Sequence, residues 1–290
     1  MNGLDEALDR ARGWIGRSAT ATGLITAAPA DILSATFDRD DAPLADGDPI
    51  PPGWHWYYFP EAVRLADTGP DGHKAKGGFM PPVPLPRRMW AGVKMRFDRP
   101  LRVGETARRV STIADVVPKS GRSGALCFVT VRHEIFGEGG LATHEEHATV
   151  YRAADAGKAG PPPAKREPPG AEAVWSREIE PTTVLLFRYS ALTMNSHRIH
   201  YDRDYVTGVE GYPGLLVHGN LITTLLLDLF RRARPEATLK SYAARALAPL
   251  FDGAPFTVNG APGPGEGEGR LWALTPDGGI AQTAEITFAD

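Results

Sequence analysis

The sequence predicts an α+β fold built from two similar halves, each an antiparallel sheet wrapped around a central helix. Three observations predict it: strand-like runs joined by short turns, one strongly apolar helix, and a residue pattern that occurs once in each half. The chain has 290 residues, of which 42% are hydrophobic, and this is enough for two domains of moderate size.

Helical periodicity is found at two places. Residues 4–15 carry apolar side chains on one side and charged side chains on the other, which predicts an amphipathic helix that covers a sheet. Residues 219–234 predict a second helix that is well buried. Its apolar stripe is formed by Leu221, Ile222, Leu225, Leu226, Leu229 and Phe230.

Strand-like runs stand in pairs in both halves. In the first half, residues 126–136 (LCFVTVRHEIF) and 141–151 (LATHEEHATVY) are rich in β-branched and aromatic residues, and GEGG between them indicates a hairpin. In the second half, residues 270–275 and 280–288 flank PDGG in the same way. Each half is therefore expected to end in an antiparallel sheet.

One pattern occurs in the same order in both halves. Residues 97–104 (FDRPLRVG) precede Gly139-Gly140, and residues 251–258 (FDGAPFTV) precede Gly278-Gly279. Such an internal repeat indicates two copies of one structural unit. A sheet around an apolar helix, present twice in one chain, is the double hot-dog arrangement.

A proline-rich stretch marks the boundary between the halves. Residues 156–170 (AGKAGPPPAKREPPG) hold five prolines and no large apolar side chain, so they predict an extended linker. The predicted domains are residues 1–155 and 171–290.

Charge and composition exclude several classes of partner. A formal net charge of −3 provides no basic field for nucleic acid, and no window approaches the roughly 20 apolar residues of a membrane span. The single cysteine, Cys127, lies in an apolar run, which favours a small buried hydrophobe over a nucleophile. With no disulfide framework and no signal-peptide pattern, a cytoplasmic location is expected.

Candidate catalytic residues are concentrated between residues 187 and 219, which hold three of the eight histidines. Residues 195–200 (NSHRIH) resemble the signature of the MaoC-like hydratases and dehydratases. The family's catalytic histidine falls on His200. Its catalytic aspartate, five positions earlier, falls on Asn195, so this sequence departs from the family at the acid.

Further segments resemble one branch of that family, which contains 3-methylfumaryl-CoA hydratases and type 2 hydroxyacyl-thioester dehydratases. They are residues 190–202 and 210–219 (EGYPGLLVHG) in the second half, and residues 77–92 and 119–134 in the first. The resemblance implies a hydro-lyase that adds water to a short branched enoyl-CoA, or removes it. The closest implied reaction is 3-methylfumaryl-CoA to citramalyl-CoA, with CoA as part of the substrate and no separate cofactor.

The chemistry of hydration assigns roles to these residues. A base must deprotonate water, and donors must stabilise an enolate-like oxygen. We expect His200 to be the base and Asn195 to orient the water, with backbone N–H groups near His218 and Gly219 at the enolate. If an acid is required, Asp202 and Glu210 are the nearest candidates in sequence. Further substrate contacts are expected from Tyr189, Arg198 and Gly214.

A substrate with a free carboxylate needs a cation, for which Arg198, Arg188, Arg87 and Arg88 are candidates. The arginines 231, 232 and 234 could meet CoA phosphates or complement a helix dipole. A zinc site formed by His197, His200 and His218 is an alternative, although the spacing matches no standard zinc pattern.

Other functions on the same scaffold remain open: a dehydratase of longer 3-hydroxyacyl thioesters, a thioesterase, or a non-catalytic acyl-CoA-binding protein. The first half has no Asn/His pair before its FDRPL segment, where prolines stand instead. We therefore expect one active site per chain and a degenerate first domain. A homodimer is compatible with the sequence.

Overall fold

The computed structural model describes residues 3–121, 124–153 and 172–290. The first half contains α1 (Gly3–Arg12), β1 (Ser18–Leu24), α2 (Ala27–Thr36), β2 (Arg87–Phe97), β3 (Thr106–Gly121), β4 (Gly124–Gly137) and β5 (Gly140–Arg152). The second contains β6 (Trp175–Ile179), α3 (Thr183–Thr193), α4 (Arg203–Gly208), α5 (Gly219–Ala233), β7 (Thr238–Ala246), β8 (Phe256–Pro262), β9 (Glu268–Leu274) and β10 (Ile280–Ala289). Short 3₁₀ helices span Trp54–Tyr57, Leu65–Asp67 and Arg198–His200. The predicted linker, residues 156–170, lies outside the described residues.

The strands form one antiparallel sheet in the order β1-β3-β4-β5-β2-β7-β10-β9-β8-β6. When the five strands of each half are numbered along the chain, both halves have the order first, third, fourth, fifth, second, counted from the outer edge of the sheet to its centre. The halves meet where β2 pairs with β7, from Gly92 opposite Arg245 to Arg96 opposite Ser241. Because both halves have the same strand order, the predicted α+β double hot-dog fold is confirmed.

The sequence repeat falls at equivalent places in the two halves. FDRPL links β2 to β3 and FDGAP links β7 to β8, each joining the second strand to the third. Gly139-Gly140 and Gly278-Gly279 lie at the two hairpins between the fourth and fifth strands. The repeat therefore reflects a shared topology.

Helix α5 is the central helix of the second half. Every residue from Leu221 to Phe230 is buried, because the sheet covers one side of the helix and α3 with first-half residues covers the rest. The predicted helix at residues 219–234 is confirmed, as is the N-terminal helix, which ends at Arg12.

The expectation of a central helix is confirmed only for the second half. In the first half, α1 and residues 79–85 cover the sheet instead, and they pack on Val129, Val131 and Tyr151. Four prolines between residues 81 and 86 explain the difference, because proline removes a backbone donor and disrupts a helix interior. Cys127 is buried in this cluster, and burial raises the pKa of its thiol to about 11. Among the described residues, none of the helices combines the length and apolar character needed to cross a bilayer.

Candidate active site

A cavity of about 700 Å³ opens where the two halves separate. The pairing of β2 with β7 stops at Gly92 and Arg245, and beyond that point residues 86–91 and residues 246–250 both line the cavity. The short helix Arg198–His200 and the start of α5 form another part of its wall. The site is thus shared between the halves.

His200 is held in this wall as a neutral imidazole. Its Nδ1–H donates to the carbonyl oxygen of Leu216 over 2.8 Å. Burial lowers the pKa of His200 to about 4, even though this hydrogen bond favours the charged form. A neutral imidazole with its proton on Nδ1 keeps the Nε2 lone pair free, so the ring can accept a proton at Nε2.

Asn195 lines the same cavity as His200. It follows the left-handed C-cap of α3 at Met194, and its Oδ1 accepts from the backbone N–H of His197 over 3.1 Å. This turn fixes the amide. Its Nδ2 group has no hydrogen-bond partner in the described part of the chain, so it can donate to a bound water.

His218 and Gly219 bring the N-terminus of α5 to the cavity. The His218 ring stacks on His200 at 3.6 Å between ring centroids, and its Nε2 contacts Oγ of Ser190 at 2.8 Å. A Cβ at Gly219 would lie 2.6 Å from the Trp90 ring, so only glycine lets β2 pack this closely. The first N–H groups of a helix have no intrahelical acceptor, which makes this end suited to a developing negative charge.

Three predicted substrate-binding residues do not line the cavity. Tyr189 is buried behind the His218 ring, and its hydroxyl contacts Thr224. Arg198 is tied to Asp202 at 2.7 Å and to a backbone carbonyl. Gly214 faces Asp252, where a Cβ would lie 2.6 Å from Oδ1. The structure therefore does not bring these three residues to the cavity wall, and their contact with substrate stays a prediction.

The two candidate acids have other partners. Asp202 caps α4 by accepting from the N–H of Tyr205, in addition to its ion pair with Arg198. Glu210 does line the cavity, but it accepts from the Tyr205 hydroxyl and pairs with Arg87.

Asp71 and His73 line the cavity from the first half, and the sequence did not indicate them. His73 Nδ1 lies 3.1 Å from Asp71 Oδ2, and its ring stands 4.0 Å from that of His197, measured between centroids. Gly72 adopts φ +87°, and a Cβ there would collide with the carbonyl of Ser196. The only sequence signal is the Asp-Gly-His turn itself, which says nothing of a partner more than 120 residues away.

The first half has its own counterpart of the Arg198–His200 helix, at Trp54–Tyr57. His55 is buried there, with Nε2 at 2.8 Å from Oε2 of Glu145, and Trp56 donates to the same oxygen. His55 lines neither of the two cavities described for this chain. The stretch before FDRPL, which was searched for an Asn/His pair in the sequence, is therefore not the counterpart of the Arg198–His200 helix. The expectation of one active site per chain stays a prediction.

Comparisons with known proteins identify the family of this chain. A sequence profile of the family described as hydroxyacyl-thioester dehydratase type 2 matches residues 53–252. The chain belongs to this family. It is 44% identical over 276 residues to mesaconyl-C(4)-CoA hydratase of Chloroflexus aurantiacus, covering 94% of this chain and 96% of that protein. The predicted family and the hydro-lyase class are confirmed.

More distant relatives extend the match. The mitochondrial hydroxyacyl-thioester dehydratase type 2 of Schizosaccharomyces pombe is 26% identical, covering 81% of this chain and 87% of that protein. The crystal structure of a MaoC-like dehydratase from Phytophthora capsici superposes with a TM-score of 0.66 at 15% identity, covering 98% of both chains. This last likeness supports the hot-dog fold of the family.

A metal ion has one candidate position among the described residues. Ligand atoms of Asp71, His73 and His197 lie within 4.8 Å of one another. This set differs from the zinc alternative inferred from sequence, because it takes two ligands from the first half and does not include His200 or His218.

The histidines of the site make stability depend on pH. Burial lowers the pKa of His197 to about 2 and that of His200 to about 4, and it also lowers the pKa values of His73 and His218. Between about pH 6.5 and pH 4 the unfolded chain therefore binds protons that the folded chain does not, so stability falls as pH falls. His197 and His200 each contribute roughly 1.4 kcal/mol per pH unit in that window.

The free energy of unfolding by urea at pH 7.5, 6 and 5 checks this expectation. His197→Gln removes one such group, so its stability should depend less steeply on pH than that of the wild type. A free energy of unfolding that stays constant between pH 7.5 and 5 would contradict the expected burial of these rings.

Proposed function

We propose that this chain hydrates 3-methylfumaryl-CoA to citramalyl-CoA, or catalyses the reverse dehydration, with His200 as the base. The observation that carries the proposal is a neutral imidazole with an unprotonated Nε2, on a residue that lines the cavity together with Asn195 and the start of α5. The 44% identity to a relative named mesaconyl-C(4)-CoA hydratase supports the choice of substrate.

The reaction needs one water between two side chains. In this route Asn195 Nδ2 donates to the water oxygen and His200 Nε2 accepts one of its protons. The hydroxide bonds to the β-carbon, and the π electrons move to the thioester oxygen. Backbone N–H groups at the start of α5 stabilise the resulting enolate.

Protonation of the α-carbon completes the hydration. Since the Asn195 amide does not titrate, the imidazolium of His200 returns the proton that it took from water. The π electrons return from oxygen to form the new C–H bond, and His200 becomes neutral again. One water is consumed and no other reactant is required, so we invoke no separate cofactor.

A second candidate is a dehydratase of longer 3-hydroxyacyl thioesters. It is supported by the family description and by the name of the Schizosaccharomyces pombe relative. A cavity of about 700 Å³ also leaves room for a longer acyl chain.

A panel of CoA thioesters tests both candidates. We expect purified protein to consume the enoyl-thioester absorbance of 3-methylfumaryl-CoA with a higher kcat/KM than that of crotonyl-CoA or of longer enoyl-CoAs, and without release of thiol. Preference for the longest chain would favour the second candidate. Thiol release would instead indicate a thioesterase, and tight binding without turnover an acyl-CoA-binding protein.

A further inference from the structure

A second cavity of about 450 Å³ adjoins the one that holds His200. The two share part of their lining, so they lie on either side of the same residues. The shared lining residues are Asp71, His73, Pro86, Arg87, Arg88 and Glu210.

Arg88 is a cation of this shared lining that has no partner among the described residues. It is half-buried, and its guanidinium has no hydrogen bond or ion pair with any residue that the structure describes. Its neighbour Arg87 pairs with Glu210 at 3.7 Å and donates to the carbonyl of the same residue. Half-burying a charge without a partner is unfavourable, so the position of Arg88 is suited to an anion supplied from outside.

Tyr151 gives a second, independent indication. Its side chain is fully buried and lines the second cavity, yet its hydroxyl has no hydrogen-bond partner within the described ranges. Tyr151 stands directly opposite Arg88 in the pairing of β2 with β5, and cross-strand neighbours have Cβ atoms about 5 Å apart. Two unsatisfied donors are therefore adjacent in the same wall.

The charges of the second cavity favour an anion. Arg87 and Glu210 offset each other, and Lys74 is paired with Glu61 outside the cavity. Lys76, which donates to the carbonyls of Val83 and Leu85, offsets the carboxylate of Asp71. The positive charge of Arg88 then remains in excess.

We propose that Arg88 and the Tyr151 hydroxyl form a subsite for a free carboxylate at the far end of the acyl group. A guanidinium can donate to both carboxylate oxygens, and the phenol supplies a further donor. The subsite selects thioesters of dicarboxylic acids over thioesters whose acyl chain ends in a methyl group. This assignment rests on the proposed hydratase function and names the residues that make its substrate choice.

Arg88→Gln tests the subsite by the ratio of kcat/KM for 3-methylfumaryl-CoA to that for crotonyl-CoA, which lacks the carboxylate. Hydrogen bonds to charged groups contribute about 1.5–3 kcal/mol, so we expect the ratio to fall by roughly 10- to 100-fold. The loss should lie mainly in KM for 3-methylfumaryl-CoA. Arg96→Gln is the matched control, because Arg96 lies on the same strand and pairs with Asp98 at the surface.

Tyr151→Phe tests the other half of the subsite with little risk to folding. The hydroxyl has no partner in the described residues, so its removal should not lower the unfolding temperature. The kcat/KM ratio should fall by roughly 3- to 10-fold, as for one hydrogen bond. If Arg88→Gln fails to fold, Tyr151→Phe and Arg88→Lys still test whether the subsite exists.

The possible results distinguish failure of the proposed subsite from failure of the proposed function on which the subsite rests. If wild-type protein hydrates 3-methylfumaryl-CoA and neither Arg88→Gln nor Tyr151→Phe changes the ratio, the subsite is wrong and the hydratase stands. If wild-type protein hydrates neither thioester, the proposed function itself is wrong. A fall in the ratio for both variants, with Arg96→Gln unchanged, supports the subsite.

Discussion

Replacement of His200 with alanine is expected to lower kcat for hydration by about 10²- to 10⁴-fold, the usual contribution of a general base. The lowered pKa and the hydrogen bond from Nδ1–H to Leu216 leave His200 Nε2 unprotonated at neutral pH. Asn195 cannot take over, because an amide does not titrate in this range. The measurement is the loss of enoyl-thioester absorbance, compared with the wild type at saturating substrate.

Two further measurements make the His200 result specific. His144→Ala is the matched control, because His144 lies on β5 and lines neither described cavity; it should keep wild-type kcat. In the wild type, kcat/KM should show no acidic limb near pH 6.5 and should fall only toward pH 4. If the His200→Ala variant kept the wild-type kcat, His200 would not be the base, and the proposed function would be wrong.

The sequence identified those parts of the site that lie close together along the chain. Asn195, His200, His218 and Gly219 occupy one stretch of 25 residues, and the structure brings all four to one cavity. The motif was recognisable because the short helix Arg198–His200 and the start of α5 are local structures. Their residue types can therefore be read without knowledge of the rest of the fold.

Closeness in sequence did not place Arg198 in the wall of the cavity that holds His200. It is two residues from His200, but its guanidinium pairs with Asp202, four residues along the chain, and Arg198 lines neither described cavity. Tyr189 likewise lies on α3 with its ring toward the core. Side-chain direction within a turn depends on which neighbours the turn packs against, and a motif does not contain this information.

The residues contributed by the first half could not be predicted from the sequence. Asp71 and His73 reach the site only because Gly72 allows their loop to dock on Ser196, and Arg88 meets Tyr151 only through the register of β2 and β5. Prolines suggested that the region around residues 77–92 was degenerate. Residues 86–91 of this region line the cavity that holds His200, and Pro86, Arg87 and Arg88 also line the second cavity.

Replacement of Asp228 with alanine is expected to destabilise the protein by about 3–5 kcal/mol, because it removes a fully buried carboxylate on which three partly buried guanidinium groups converge. The Asp228 carboxylate has no exposed surface, and three guanidinium groups surround it. Arg39 lies 2.8 Å from Oδ1, while Arg232 and Arg177 lie 2.8 and 3.2 Å from Oδ2. At about 2–4 °C per kcal/mol, the unfolding temperature should fall by roughly 10 °C.

This ion cluster also joins the two halves of the fold. Asp228 belongs to α5, and Arg177 and Arg232 both donate to the carbonyl of Phe37 in the first half. Asp98→Ala is the matched control, since Asp98 forms an exposed pair with Arg96 and such pairs contribute about 1 kcal/mol or less. If thermal unfolding showed equal losses for the two variants, the Asp228 cluster would contribute no more than a surface ion pair, and contacts between the halves other than this cluster would have to hold them together.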